Sequence, residues 1–316
     1  MVARVLNMSA YRIRALFRPV VRAARIVLLK RKIFHRVSNS DNEYQFSEND
    51  IDLYVRERFA DLPSITYDVS CGAQDYVSVN INDIRICWPR LLSTKDLPWL
   101  FHEVFDEFKL NPSSYNHPSM DFKNKKWIID AGAAEGFFSV FALENSPGKV
   151  FCVEPLSVMK PALERTLATY SSAERATIIT AALGEKPGLS EIEIDSDHIC
   201  DSKIVLNASP VQRSQSASII EEVPIVTIDQ VVCQYSLGED GAIKMDIEGF
   251  EMAALMGAIN TMKRYKPALA IAVYHDLENA TRCAEIIKTA NPQYKVEFRG
   301  YYGYFDPPRP YMVFAY

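Results

Sequence analysis

Residues 127–154 read WIIDAGAAEGFFSVFALENSPGKVFCVE. An apolar run, Trp127-Ile128-Ile129, ends in Asp130, and a turn of small residues follows, Ala131-Gly132-Ala133-Ala134-Glu135-Gly136. Phe137 to Leu143 then carries apolar residues at helical spacing, and a second apolar run, Val150 to Val153, ends in Glu154. Strand, glycine turn, helix, strand and closing acid is the order of the ligand-binding half of a doubly wound α/β sheet. Gly132 and Gly136 let the backbone turn sharply and approach a ligand closely. The helix that follows offers unpaired N–H groups at its start. Glu154, at the tip of the neighbouring strand, can accept both hydroxyls of a ribose.

The glycine pattern narrows the ligand. A dinucleotide fingerprint needs Gly-x-Gly-x-x-Gly, but aligned on Gly136 its first two glycine positions hold Ala131 and Ala133. Present instead is Asp-x-Gly-Ala-x-x-Gly, with the acid at the strand end. A carboxylate there repels a pyrophosphate and suits a ligand that carries an ammonium group and no phosphate. S-adenosylmethionine is such a ligand; a nicotinamide or flavin is the rival. Alone, Asp130 reads as a turn cap and Glu154 as a solvated strand end, so the expectation rests on their combination.

At 316 residues, 48% apolar and 24% charged, the chain can build a substantial core as one large domain with extensions. Six cysteines, at 71, 87, 152, 200, 233 and 283, form no Cys-x-x-Cys pair and no zinc spacing. Three of them (87, 152, 283) lie in apolar or helical patterns, as buried small hydrophobes do. A reducing compartment follows, and the expected location is cytoplasmic, peripheral at a membrane if the N-terminus binds one. The net charge of −5 is unevenly spread: residues 1–37 hold ten Lys or Arg and no acid, leaving 25 basic against 40 acidic residues in the remainder. A body that acidic argues against nucleic acid bound through a basic surface. No run of 18 or more apolar residues suggests a bilayer span.

Three regions follow. Residues 1–37 form a basic, helical N-terminus in which residues 9–34 look amphipathic, with Ile13, Leu16, Phe17, Val20, Val21, Ala24, Val27 and Leu28 on one face and Arg14, Arg18, Arg22 and Arg25 on another. Such a helix could lie on an anionic membrane, pack on the body or a second subunit, or be a cleaved targeting peptide. Residues 38–120 read as an α+β extension: a polar linker (38–50), a short helix (51–59), a hairpin over Val77–Trp88 turning at Asn82-Asp83, a helix over Leu97–Leu110 and a turn-rich loop to Met120, together a possible roof for the site. Residues 121–316 read as the catalytic domain. Its seven core strands start near 127, 149, 176, 242, 268, 294 and 311, with a single helix expected over Phe250–Met262. The last two strands are separated by a loop alone and so pair antiparallel. Residues 195–222 read as a long polar, Ser-rich lid or substrate loop. An otherwise parallel seven-stranded sheet with one antiparallel strand near its end is the Rossmann-like sheet of class I methyltransferases.

The second half supplies the chemistry. Strand Ala242–Asp246 runs into Ile247-Glu248-Gly249, and the strand after it ends in Tyr274-His275-Asp276. Ligands in doubly wound sheets sit beyond the carboxyl ends of the strands, so Asp246, Glu248 and His275 should meet where a methyl acceptor lies. A hydroxyl acceptor must lose its proton, and His275 is the expected base, with Asp246 and Glu248 orienting it or binding the acceptor. Alternatively, His275 is a structural strand-end histidine, while Glu248 and Glu251 simply favour a helix start. Together with His275, Asp246 and Glu248 could also hold a divalent metal, though no ligand spacing indicates one. Four aromatics and Arg309 on the loop GYYGYFDPPRP (300–310) suit a sugar ring or a packed turn equally.

The succession IIDAGAAEG, VFCVEP, AALGE, VPIVTID, IKMDIEGFE and LAIAVYHD resembles FkbM-type methyltransferases over about residues 120–316. The resemblance implies a class I fold, S-adenosylmethionine as donor, and O-methylation of a hydroxyl on a sugar, glycan or secondary metabolite. It further implies that Asp130, Gly132, Ala133, Glu135, Gly136 and Glu154 hold the cofactor, that Ala182 and Leu183 lie near its adenine, and that Lys244, Asp246, Glu248 and His275 line the acceptor side. Glu135 departs from the family, which more often has Asn there. The competing expectations are a nicotinamide oxidoreductase and an inactive binding protein that keeps the fold.

Overall fold

The computed structural model describes residues 21–37, 44–58, 66–68, 75–170, 174–194, 203–205 and 219–316. Residues 1–20, residues 38–43 of the expected linker, and 195–202 and 206–218 of the expected substrate loop lie outside the described residues.

The chain opens with helix α1 (residues 21–37) and α2 (Glu48–Glu57), whose start is fixed by a Ser47–Asp50 capping box. Strands β1 (Thr66–Asp68), β2 (Tyr76–Ile81) and β3 (Ile84–Pro89) form a small antiparallel sheet. The β2–β3 turn takes positive φ at both Asn82 and Asp83, the geometry that matches strand twist in a two-residue hairpin. Helix α3 (Leu97–Phe105) and the loop to Met120 then lead into the main body.

That body follows the expected pattern. In order come β4 (Trp127–Ala131), α4 (Phe137–Asn145), β5 (Lys149–Val153), α5 (Lys160–Tyr170), β6 (Ala176–Ile179), β7 (Ala182–Leu183), β8 (Gly188–Ile194), β9 (Lys203–Val205), β10 (Ile219–Val226), α6 (Ile228–Gln234), β11 (Gly241–Met245), α7 (Glu251–Met256), α8 (Ile259–Tyr265), β12 (Ala268–Ala272), α9 (Asn279–Ala290), β13 (Val296–Arg299) and β14 (Met312–Ala315). Seven strands form one sheet in the order β13-β14-β12-β11-β4-β5-β6, all parallel except β14, which runs antiparallel between β12 and β13. The strands between the two edges, β14, β12, β11, β4 and β5, are buried on both faces, so they read as nearly continuous apolar runs. Ile128, Val150 and Ala242 share one apolar cluster with α3, α4, α5 and the hairpin, whereas Ile129, Phe151, Ile243 and Leu269 share the other with α6 to α9.

Two expectations need correction. The helix over Phe250–Met262 is two helices, α7 and α8. Asp229 breaks it from outside: its Oδ1 and Oδ2 accept from Thr261 N (2.8 Å) and Asn260 N (3.1 Å), capping α8 as a separate start. The described parts of the 195–222 stretch are strand rather than loop, because β8, β9 and β10 join β7 in a second sheet ordered β7-β10-β8-β9.

The extension packs directly on the body. Thr166 and Tyr170 of α5 accept hydrogen bonds from the β3 backbone N–H groups of Cys87 (2.9 Å) and Arg85 (2.7 Å), covering an otherwise open strand edge. Phe101 and Phe105 of α3 meet Phe137 of α4 edge-on, with centroids 5.6 and 6.0 Å apart. Arg299 of β13 stacks on Phe108 and donates to the carbonyls of Phe108 and Asn111, fastening the loop after α3 to the far end of the sheet. In α1, Ile26, Leu29, Ile33 and Val37 pack against α2 and Tyr301, which is one of the three readings of this helix.

Candidate active site

The turn after β4 is built for close approach. Gly132 has φ +76°, and a Cβ there would sit 1.9 Å from the Asp246 carbonyl oxygen, so only glycine lets the ends of β4 and β11 meet. The N–H groups of Gly132 and Ala133 both reach the Val153 carbonyl, at 3.0 and 3.1 Å. Glu154 closes the turn from β5: one carboxylate oxygen accepts from Ala134 N (2.9 Å), the other from Leu156 N (3.0 Å).

A pocket opens over this turn and encloses about 1060 Å³ of empty space, open solvent included. On its wall lie Gly132, Glu135, Glu154, Ala182, Leu183, Lys244, Asp246 and Glu248, all singled out in the sequence. Asp130, Ala133, Gly136 and His275 are not on the wall. Asp130 is fully buried beneath the turn, where Ser139 Oγ donates to it (2.6 Å) and Lys244 Nζ stands 3.1 Å away. The strand-end acid therefore has no bare carboxylate for a ligand; it anchors Lys244 instead. Lys244, expected on the acceptor side, donates to the Gly132 carbonyl (2.7 Å) and forms the pocket floor. Burial lowers the lysine pKa, but Asp130, Asp246 and Glu135 outweigh it and keep the ammonium charged.

Burial pushes the carboxyls of Glu135 and Glu154 up to about 7, although backbone N–H groups at Glu135, Ala134 and Leu156 pull against it. With Glu103, Asp246 and Glu248, five acids border this pocket against one lysine. The pocket lining is predominantly acidic.

At the pocket's other end the acids of β11 meet β12. His275 Nε2 stands 3.2 Å from Glu248 and 3.5 Å from Asp246, and its Nδ1 is 3.3 Å from Glu251. Burial lowers the imidazole pKa, but the three carboxylates override it and raise it to about 11. Three carboxylates around the ring favour its imidazolium form, which has no lone pair to accept a proton. Glu251 belongs to the fold: its carboxylate accepts from Ile247 N, Gly249 N and Asn279 Nδ2, and His275 with these donors holds its pKa down despite burial. Glu248, held at φ +54°, faces the pocket, and burial raises its carboxyl to about 7 against the pull of His275. Asp246, Glu251 and His275 present ligand atoms within 4.8 Å of one another, as a metal would need. The donor set does not fit one well, because one Glu251 oxygen already accepts from the Ile247 and Gly249 N–H groups and the other from Asn279 Nδ2.

Sequence reasoning missed the roof residues. Tyr115, from the loop after α3, donates to Asp246 Oδ2 at 2.6 Å. Leu100, Glu103 and Val104 of α3 complete the wall together with Phe138, Ile192 and Phe250. The available signal was Glu103 itself, an acid three residues after Leu100 on an apolar helix face, yet only 4% exposed. Tyr115, in a turn-rich loop, gave none.

The family model of the methyltransferase FkbM domain matches residues 130–298. Among solved structures, the methyltransferase FkbM from Methylobacillus flagellatus KT is 22% identical, with a TM-score of 0.44, over 61% of this chain and 44% of that one; this chain thus spans less than half of its length. The precorrin-6y C5,15-methyltransferase from Geobacter metallireducens GS-15 is 12% identical, with a TM-score of 0.35, over 62% and 82% of the two chains. Fibrillarin from Aeropyrum pernix, crystallised with natively bound S-adenosyl-L-methionine, is 9% identical, with a TM-score of 0.37, over 81% and 100%. No curated protein matches the chain.

Proposed function

We propose, for a chain that belongs to the FkbM methyltransferase family, that S-adenosylmethionine is the methyl donor and that the acceptor is a hydroxyl on a sugar, glycan or secondary metabolite. The observation that carries this is one pocket bordered at one end by Glu154 and the Gly132 turn and at the other by Asp246 and Glu248. The residues suit the donor. Glu154 accepts ribose hydroxyls, Glu135 faces an ammonium, and Ala182 and Leu183 offer an apolar shelf for a base. Bound there, S-adenosylmethionine would supply an electrophilic methyl group. The excess of acids favours its positive charge and opposes the pyrophosphate of a nicotinamide dinucleotide.

Displacement at a methyl carbon requires mainly that acceptor and donor be held in line. Tyr115 and Asp246 form a hydrogen-bonded pair able to orient a hydroxyl. Glu248 would take the proton of the acceptor hydroxyl as its oxygen gains the methyl carbon and the carbon–sulfur bond of the donor breaks, and its raised pKa suits that task near neutrality. Caged among three acids, His275 positions them.

Calorimetric titration with S-adenosylmethionine and, separately, NADH tests the donor. Micromolar binding of the first, weakened at least tenfold in Glu154→Ala, is expected. Binding of NADH alone would replace this function with an oxidoreductase, and binding of neither would leave an inactive fold.

A further inference from the structure

Glu103 lines a second cavity as well as the first. This one encloses about 420 Å³ of empty space, open solvent included, and its lining is Trp99, Glu103, Tyr274, Tyr302, Tyr304 and Tyr311. The rings belong together. Tyr302 lies 4.8 Å from Tyr274, 5.0 Å from Tyr304 and 4.7 Å from Tyr311, centroid to centroid. The loop holding Tyr302 is fixed by a bridge to Arg309, whose guanidinium donates to the carbonyls of Tyr274 and His275 at 3.0 Å each. Trp99 Nε1 donates to one oxygen of Glu103 at 3.0 Å. The other oxygen has no protein partner among the described residues, and no lysine or arginine lines the cavity.

A buried carboxyl without a counter-ion is costly. Burial pushes Glu103 well above the ordinary carboxyl range, and Asp246 and Glu57 push it further. Behind Tyr311, Glu57 is also buried and has one oxygen unpartnered. Glu103 is therefore held in its neutral form, and an organic cation seated against these rings would let it ionise and serve as the counter-ion. A neutral sugar ring would use the faces and leave the acid unanswered.

We propose that this aromatic cavity binds a protonated amine on the methyl acceptor, with Glu103 accepting from the ammonium and the faces of Trp99 and Tyr302 flanking it. The acceptor class is then a hydroxylated amine such as an amino sugar, its hydroxyl reaching Asp246 and Glu248 past Glu103. The assignment rests on the methyl-transfer reading of the neighbouring pocket.

Tryptophan fluorescence isolates the cavity. Trp88 and Trp127 are 0% and 2% exposed, which leaves Trp99 as the responsive indole. The full chain is titrated with methyl glucosaminide and with methyl glucoside, at a pH where the amine is protonated. Saturable quenching by the amino sugar, at least about tenfold tighter than by the neutral one, is expected. Glu103→Gln should erase the preference, and Tyr302→Leu should weaken amino-sugar binding even if the buried Glu103 variant does not fold. Equal affinity for the two sugars, or saturation by neither, overturns the proposal. Calorimetry with S-adenosylmethionine on the same protein separates the failures: loss of donor binding with amino-sugar binding intact refutes methyl transfer and not the amine site.

Discussion

His275 is surrounded by three carboxylates, so its removal is a test of electrostatics before it is a test of catalysis. His275→Ala leaves Asp246, Glu248 and Glu251 facing one another with no cation, and a loss of about 3–5 kcal/mol by denaturant titration is expected. A histidine whose native pKa lies above its unfolded value stabilises the fold fully below the unfolded value and loses that contribution as pH rises through the native one. The contribution of His275 is therefore complete below its ordinary value of 6.5, falls steadily as pH rises from there, and is gone above about 11. Unchanged stability in the alanine variant would return the residue to the role of base. Glu248→Gln, by contrast, should lower turnover about a hundredfold while sparing donor affinity. Gly132→Ala should abolish donor binding, because the new methyl meets the Asp246 carbonyl at 1.9 Å; calorimetry beside a melting curve separates that from unfolding. Gly132 and Glu154 were legible because their partners lie within one strand-turn-helix-strand unit. The state of Asp130 and His275 was not, since Lys244 and Glu251 reach them from other strands and helices.

Helices and strands were the most readable level. Apolar runs buried on both faces marked the central strands of the main sheet, and the short β13–β14 connection announced the antiparallel pair. The missed break between α7 and α8 is imposed by Asp229, a residue more than twenty positions upstream that no helical period can signal. Helix α1 invites a prediction of its own. Ile26, Leu29, Ile33 and Val37 are committed to the body, yet Val27, Leu28 and Phe34 remain 64%, 66% and 39% exposed, with Arg25, Arg31 and Lys32 also exposed on the helix. No helix among the described residues is long and apolar enough to cross a membrane. The second apolar stripe suits the surface of an anionic bilayer. Co-sedimentation with vesicles containing anionic lipid, absent with neutral vesicles and weakened by salt, is expected. Leu28→Asp with Phe34→Asp should eliminate it without lowering the melting temperature; binding that survives both would refute the idea.

At the scale of the molecule, the extension and the sheet form one apolar cluster, in which Val79, Trp88 and Phe101 sit with Phe137, Met312 and Phe314. Residues 121–316 expressed alone are therefore expected to aggregate on gel filtration and to bind S-adenosylmethionine far more weakly, having lost Leu100, Glu103, Val104 and Tyr115 from the pocket wall. A monomeric fragment with full affinity would make the extension dispensable. The strand order carries a consequence for the chain in time. Because β14 sits between β12 and β13, the earlier-synthesised β13 has no neighbour until residues 312–315 arrive. A nascent chain that pauses in the loop between them presents the free edge of β12, and a ribosome slowed there would hold its product in the state most open to capture by a chaperone or by another chain's strand.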